Sequence, residues 1–593
     1  MCRIAGIVAL GDGADNTRKV TTMTNAMKHG GPDDHGVFQH ETVTLGHRRL
    51  SIIDLSSAGH QPMTDSSGDL VISYNGEIYN YKEIRADLIK LGVQFRTSTD
   101  TEVIFQSYKT WGVKGFGRFL GIFAFALYDK HTGKLLLVRD SPGVKPMYYH
   151  ATSDRIVFAS EVKAFKALDP QWEENRKWRS LFLAFGYLAH PVTTLKDVVA
   201  LAPGSVLEVD VRTMKTSVQS FIAERATDNS EEALDRVKRT VMAALRRNII
   251  SDAPLGIFLS GGIDSSLLAL LAAQEIAENE RTVSVTFEEA AFDESPYQQI
   301  VLEKIRQAKH SKFLVNEGMF WDSIDTIWQA MDQPTIDGVN SYFVSMAAHK
   351  AGLKAVLSGL GADELFGGYA SSSRTQWLPY LRSLPAKDLA AAIAGNFNHA
   401  YKRLSFLRLN NSLGDYLFLR GVHTPKVISQ LLQCDEREVW DDLRSLQEPV
   451  KSEIPKESYA SFLEYNYYMK GQLLKDTDFM SMWFGLEARV PFLDQELIHV
   501  AATTITTKAQ QDSRPKYLLT KAFEDVLPNE IVFRKKQGFT FPFHVWLRNK
   551  MNNGDRLLPA RLASELPVDN FMKGKAHWSQ VWSGVVLDQF RWK

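Results

Sequence analysis

The stretch Leu255-Gly256-Ile257-Phe258-Leu259-Ser260-Gly261-Gly262-Ile263-Asp264-Ser265-Ser266 constrains this chain more than any other. An apolar run leads into Ser-Gly-Gly, and the helix-forming run Leu267 to Ala273 follows directly, an order that predicts strand, tight loop and helix. Gly261 and Gly262 admit backbone angles closed to other residues. Successive N–H groups can therefore turn inward around an anion at the helix N-terminus, where the dipole adds positive potential. Leu259 to Gly262, with the hydroxyls of Ser260, Ser265 and Ser266, are candidate phosphate-binding residues. Asp264 repels a phosphate and is assigned instead to a magnesium ion that attracts one. The plain alternative is a glycine turn capped by serine and aspartate. The lysine of a G-x-x-x-x-G-K-[ST] loop is absent.

The stretch resembles the pyrophosphate-binding loop of the ATP pyrophosphatases, which implies activation of a substrate as its adenylate and cleavage of ATP between the α- and β-phosphates. The surrounding pattern fits a parallel sheet. An amphipathic helix is expected from Ser230, with Leu234, Val237, Val241, Ala244 and Leu245 on one face. Thr282 to Phe287 and Lys354 to Leu357 read as further strands, the latter ending in Ser358-Gly359-Leu360-Gly361-Ala362-Asp363-Glu364. Strands alternating with helices place ligands at the strand carboxyl ends, so both glycine loops are expected to open on one edge.

At 593 residues the chain exceeds one ordinary core, and two or three domains are expected. Lysine plus arginine and aspartate plus glutamate number 69 each, so no global field favours nucleic acid or a membrane surface. Two cysteines, Cys2 and Cys434, exclude a disulfide framework and point to a reducing cytoplasm; Cys434 reads as a plain thiol. No apolar run reaches the length of a membrane span, and Ile4 to Leu10 reads as a strand rather than a signal peptide.

Removal of Met1 makes Cys2 the first residue. Its thiol then lies beside its own α-amino group, whose pKa of about 8 suits it to act as local base. Taken alone, Cys2 reads as a small residue before a strand. Downstream, Val71 to Asn80 contains Asn75-Gly76, ordinarily a hairpin turn. The run Tyr81 to Leu91 looks helical instead, which leaves the Asn75 side chain and the Gly76 N–H for an oxyanion hole. Asp100 precedes a helical run and reads equally as an N-cap. Ile122 to Tyr128 and Lys134 to Val138 form an expected hairpin of a second sheet.

These pieces resemble the class II glutamine amidotransferases over about the first two hundred residues. That likeness implies an α-β-β-α sandwich in which Cys2 attacks the glutamine amide and Asn75 and Gly76 hold the oxyanion. It pairs Arg49 with the α-carboxylate of glutamine and Asp100 with its α-amino group, and Glu77 joins the glutamine-binding set. Two departures stand out. The family opens Cys-Gly-Ile-x-Gly where this chain has Cys2-Arg3-Ile4-Ala5-Gly6, and its His-Arg-Gly-Pro-Asp is here His29-Gly30-Gly31-Pro32-Asp33.

The order of the two halves is similar to that of glutamine-hydrolysing asparagine synthetases over nearly the whole chain. Asp478, Met480 to Met482, Leu486 to Asp494 and Arg514 to Leu519 extend the match. Lys536 corresponds to the synthetase lysine, with Lys535 an alternative one residue away. The resemblance implies a glutaminase domain at 2–205, a linker at 206–229, and an ATP-dependent synthetase domain at 230–593 with a helical C-terminal part. It implies ATP as substrate at Leu259 to Ser266, Ser358 and Gly359, and Mg2+ at Asp264 and Asp363. Asp363 and Glu364 are placed beside the acceptor, and a homodimer is suggested. Aspartate is the leading acceptor; Leu360, where many asparagine synthetases carry an acidic residue, keeps a larger carboxylate open. An RNA-modifying enzyme and a catalytically silent relative are the rival readings, and the charge balance and the complete sets of candidate groups count against them. Residues 370–468 look helical and carry no assignable motif.

Overall fold

The computed structural model describes residues 2–10, 15–222, 232–276, 280–305, 308–369, 372–383, 399–448, 458–504, 514–538 and 540–590. The first half supplies strands β1 (Arg3–Ala9), β2 (Asp34–His40), β3 (Val43–Arg49), β4 (Met63–Thr64), β5 (Leu70–Ile78), β6 (Gly121–Asp129), β7 (Lys134–Arg139), β8 (Tyr148–Ala151), β9 (Arg155–Ala159), β10 (Val199–Ala200), β11 (Ser205–Asp210) and β12 (Thr216–Ser220). They pair antiparallel in two six-stranded sheets, β10-β8-β9-β1-β3-β2 and β12-β11-β7-β6-β5-β4.

Alternation along β1 explains the layering. Ile4 and Val8 join Leu45, Val71 and Leu137 in the core between the sheets, while Ala5 and Ile7 face outward onto Val20 and Met23. Helices α1 (Asn16–Ala26) and α4 (Lys163–Leu168) cover that outer face. Helices α2 (Tyr81–Lys90) and α3 (Asp100–Trp111) cover the other sheet through Ile84 and Val103. The result is the four-layered sandwich expected from sequence.

The expected linker at 206–229 needs correction. β11 pairs with β7 and β12 pairs with β11, so residues 205–220 complete the second sheet. β12 is an edge strand exposed along its whole length, with no apolar alternation to betray it. The rest of the expected linker, from 223, lies outside the described residues.

The second half opens with α5 (Ala233–Asn248) and continues β13 (Leu255–Phe258), α6 (Ile263–Ile276), β14 (Arg281–Phe287), α7 (Ser295–Lys304), β15 (Lys309–Val315), α8 (Gly338–Lys350), β16 (Ala355–Leu357), α9 (Ala362–Phe366), α10 (Leu474–Trp483), β17 (Glu487–Arg489) and α11 (Tyr517–Ala522). The five strands run parallel in the order β15-β14-β13-β16-β17. The chain direction across the sheet reverses between β13 and β16, which makes their carboxyl ends the switch point where open parallel sheets bind ligands. The described parts of 370–468 are largely helical, and Cys434 lies half-buried between the helices Pro425–Leu432 and Glu436–Arg444. Among the described residues, no helix is long and apolar enough to cross a membrane.

Candidate active sites

Cys2, Arg49, Gly76, Glu77 and Asp100 line one small pocket of about 30 Å³ in the first domain. Cys2 sits at the start of β1, buried, and its main-chain N donates to Asn75 Oδ1 at 3.0 Å. Asn75 Nδ2 is then left as a buried donor with no hydrogen-bond partner, a state that an incoming acceptor would relieve. Asn75-Gly76 lies inside β5 rather than at a hairpin turn. A Cβ at position 76 would meet the Ile122 carbonyl at 2.2 Å, so the neighbouring strand demands glycine there. Burial pushes the Cys2 thiol above its ordinary pKa, so activation by a local base matters.

Asp100 is not an N-cap. Thr99 caps α3 by accepting from the Glu102 N–H, while buried Asp100 accepts from Tyr74 Oη at 2.8 Å and from the Ile78 N–H at 3.0 Å. Burial raises its pKa to about 6 against those two hydrogen bonds. Glu77 is held well above the ordinary carboxylate range by burial, then by Glu487 and Asp100. Arg49 Nη1 donates to the Ser56 carbonyl at 2.7 Å and Nη2 to that of Asp54, and the guanidinium fits because residue 59 is glycine. Two of the five guanidinium N–H donors are thereby used, and Arg49 still lines the Cys2 pocket.

In the second domain, a cleft of about 2490 Å³ opens at the switch point. Leu259, Ser260, Gly262, Asp264 and Ser265 line it from the β13–α6 loop; Ser358, Gly359, Asp363 and Glu364 line it from the β16–α9 turn. Ser260 Oγ and Ser265 Oγ brace the first loop at 3.0 Å. Gly261, at φ +78°, makes the turn against Tyr297, and Ser266 is fully buried in α6 with its Oγ left without a hydrogen-bond partner.

The two loops meet on lysines. Lys516 Nζ lies 2.5 and 2.6 Å from the two Asp264 oxygens and 2.8 Å from Asp363 Oδ1. Lys536 Nζ reaches Asp363 Oδ1 and the Gly368 carbonyl, each at 2.7 Å, so Lys536 rather than Lys535 faces the cleft. Burial raises Glu364 to about 7, with Tyr369 donating to its carboxylate. Among the described residues no group of three or more His, Cys, Asp or Glu could hold a metal. Asp264 and Asp363 nonetheless converge on a cation, and two carboxylates completed by phosphate oxygens form a donor set suited to magnesium.

An apolar seam joins the two sites. Leu50 and Ile52, which line the Cys2 pocket, belong to one buried cluster with Tyr79, Met469 and Leu493, and Leu360 packs against that cluster while also lining the cleft.

Residues 1–222 match the model of the glutamine amidotransferase domain, and residues 236–571 match the model described as asparagine synthase. The chain belongs to the asparagine synthase family. An asparagine synthetase (glutamine-hydrolysing) of Bacillus subtilis (strain 168) is 30% identical over 93% of this chain and 89% of its own length. A putative enzyme of the same description from Mycobacterium tuberculosis (strain H37Rv) is 29% identical over 91% of this chain and 86% of its own. An amidase, chry2, of Gibberella zeae is 25% identical over 90% of this chain and 87% of its own.

Against the asparagine synthase pattern, Lys516 is the residue whose place sequence reasoning left unassigned. Arg514-Pro515-Lys516 belongs to a matching stretch, yet nothing in its spacing reveals that Lys516, at φ +49°, turns into the cleft. Glu487 and Arg489 were likewise legible only as part of a match. They pair with each other in β17, and Arg489 lies 5.3 Å from the Tyr79 ring centroid, behind Glu77 of the first pocket.

Proposed function

We propose that this asparagine synthase family member is a glutamine-dependent carboxylate amidase that takes nitrogen from glutamine and activates its acceptor with ATP. Aspartate is its first-choice acceptor. The observation that carries the reading is the meeting of Asp264 and Asp363, from loops at the ends of adjacent parallel strands, on Lys516 and Lys536.

In the first half-reaction the Cys2 sulfur attacks the amide carbon of glutamine. Its proton passes through the α-amine of Cys2, freed by removal of Met1, to the departing nitrogen. The carbon–nitrogen bond breaks, ammonia leaves, and water hydrolyses the thioester to glutamate. Asn75 Nδ2, with the Gly76 N–H, stabilises the oxyanion. Arg49 and Asp100 take the carboxylate and ammonium ends of the substrate, and Glu77 lines the same pocket. Ammonia then follows the apolar seam. Neutral ammonia tolerates such a path, whereas ammonium would lose its hydration there.

In the second half-reaction a carboxylate oxygen of the acceptor attacks the α-phosphorus of ATP and pyrophosphate departs. Ammonia attacks the acyl carbon, AMP leaves, and one proton is lost. Ser260, Gly262, Ser265, Ser358 and Gly359 hold the nucleotide phosphates, while Lys516 and Lys536 balance charge on the leaving groups. Asp264 and Asp363 would hold magnesium, which supplies neutralisation of the pyrophosphate. Glu364, which lines the same cleft, is assigned to the acceptor side.

A second reading keeps this mechanism and changes the acceptor. Leu360 brings an apolar side chain to the cleft, which favours a larger carboxylate, and an amidase stands among the relatives. Pyrophosphate release measured over a panel of carboxylates, with glutamine or an ammonium salt as nitrogen source, tests both. AMP, pyrophosphate and amide in equal amounts support the mechanism, and the acceptor that triggers them is the substrate. ADP and phosphate as products overturn it.

A further inference from the structure

Arg3 follows the nucleophile directly in sequence, and its side chain is fully buried. Its Nη1 donates to Asp478 Oδ2 at 2.7 Å, and its Nε lies 2.6 Å from Glu161 Oε1. Asp478 belongs to α10 of the second domain and also accepts from Lys145 Nζ at 2.7 Å; Glu161 belongs to the first domain and also meets His29 and Lys163. One guanidinium therefore bridges carboxylates from both domains. Burying such a charge is costly unless it is paired on each side, and removing one partner strands the others.

Gly30 explains how the arginine fits. Its backbone is outside the left-handed region, so no conformational demand calls for glycine. A Cβ at position 30 would, however, lie 2.8 Å from Arg3 Cγ and 2.9 Å from Arg3 Nε. The pattern that this chain resembles has glycine after the cysteine and arginine at the position of Gly30. The two departures therefore meet in space, since the Arg3 side chain fills the room that a side chain at position 30 would need. The same turn touches the second domain, since the His29 ring lies 4.8 Å from that of Trp483 in α10.

We propose that Arg3, seated against Gly30, is a positioning residue that ties the Cys2 strand to α10 and so couples glutamine hydrolysis to the state of the second domain. The proposal rests on the reading of Cys2 as the nucleophile. Main-chain bonds on either side of Arg3 transmit its position: Cys2 N donates to Asn75 Oδ1 and Ile4 N to Ser160 Oγ, each at 3.0 Å. A displacement of α10 is felt one residue from the sulfur.

The test is a double-mutant cycle in the full-length protein with three readouts: kcat and KM for glutamine, the ammonia-driven amidation rate, and hydrogen exchange of β1 and α10. Arg3→Gly is expected to lower kcat for glutamine by about tenfold, with KM nearly constant, and to speed exchange in both elements. The ammonia-driven rate stays unchanged and certifies the fold. Gly30→Ala should injure the wild-type protein, because it presses on Arg3, and be harmless in the Arg3→Gly background. If Arg3→Gly does not fold, Arg3→Lys, which offers one point charge to two carboxylates, gives the same split in weaker form. Unchanged kcat and unchanged exchange in the folded variants overturn the proposal, as does additivity of the two substitutions. If exchange responds as expected but the wild-type protein hydrolyses no glutamine, the tie stands and the glutaminase reading fails.

Discussion

Lys516 and Asp264, 252 residues apart in sequence, are joined through both carboxylate oxygens at 2.5 and 2.6 Å. Lys516 lies at the N-terminus of α11, Asp264 in the first turn of α6, and the pair closes the mouth of the β13 loop. The raised Lys516 pKa reflects Asp264 and Asp363 outweighing burial, so the ammonium stays charged at neutral pH.

Removing either acid disarms that mouth. Asp264→Ala and Asp363→Ala are each expected to lower acceptor-dependent pyrophosphate release by on the order of 10²–10³-fold, the scale of losing a preorganised electrostatic contact. Basal glutamine hydrolysis should survive, because neither carboxylate reaches the first pocket. Parallel assays of pyrophosphate and glutamate check the split, and equal loss of both would remove the division between the two sites.

Cys2 carries the complementary prediction. Cys2→Ala is expected to abolish glutamine hydrolysis and glutamine-driven amidation, yet leave amidation with ammonium salt at the wild-type rate. Mass spectrometry of the mature chain should find Met1 removed, since the proposed proton relay needs a free α-amine at Cys2. Failure of the ammonia-driven reaction in a folded variant would falsify the assignment of the nucleophile to one half-reaction only.

Asp100 sets an acid limb for glutamine use. Its folded pKa of about 6 lies above the ordinary carboxylate value, so the side chain is ionised above pH 6 and neutral below it. Only the ionised form pairs with the α-ammonium of glutamine. kcat/KM for glutamine should therefore fall as pH drops through about 6. Asp100→Asn should lower kcat/KM at neutral pH by on the order of 10²-fold and erase the limb. A retained limb in Asp100→Asn would assign the titration to another group.

How much of this was legible in the sequence depended on the range of each signal. The β13 loop was readable because its strand, glycines and helix are contiguous, and β16 was readable for the same reason. Asp100 was ambiguous because an acidic residue at a helix start has two uses, and only the Thr99 hydroxyl on the Glu102 N–H removes one of them. β12 was hidden because an edge strand buries nothing and so shows no period. Lys516 and the Arg3–Gly30 fit were out of reach, since both depend on side chains meeting across folded segments.

Leu360 carries the prediction that decides the acceptor. It lines the cleft next to Gly359 and packs against the apolar seam, so a carboxylate there would replace an apolar contact with a hydrated charge. If aspartate is the acceptor, the proton shed by attacking ammonia leaves by a group other than residue 360, pyrophosphate release requires aspartate, and asparagine forms in equal amount. If the acceptor is a larger carboxylate with an apolar body against Leu360, then Leu360→Glu should lower its kcat/KM by about 10–200-fold, the worth of a hydrophobic pocket contact, and spare aspartate by comparison. The measurement is the ratio of the two kcat/KM values in wild type and variant. A wild-type protein that hydrolyses glutamine and binds ATP, yet ignores aspartate while amidating another carboxylate, discards the aspartate assignment and leaves the two-site mechanism intact.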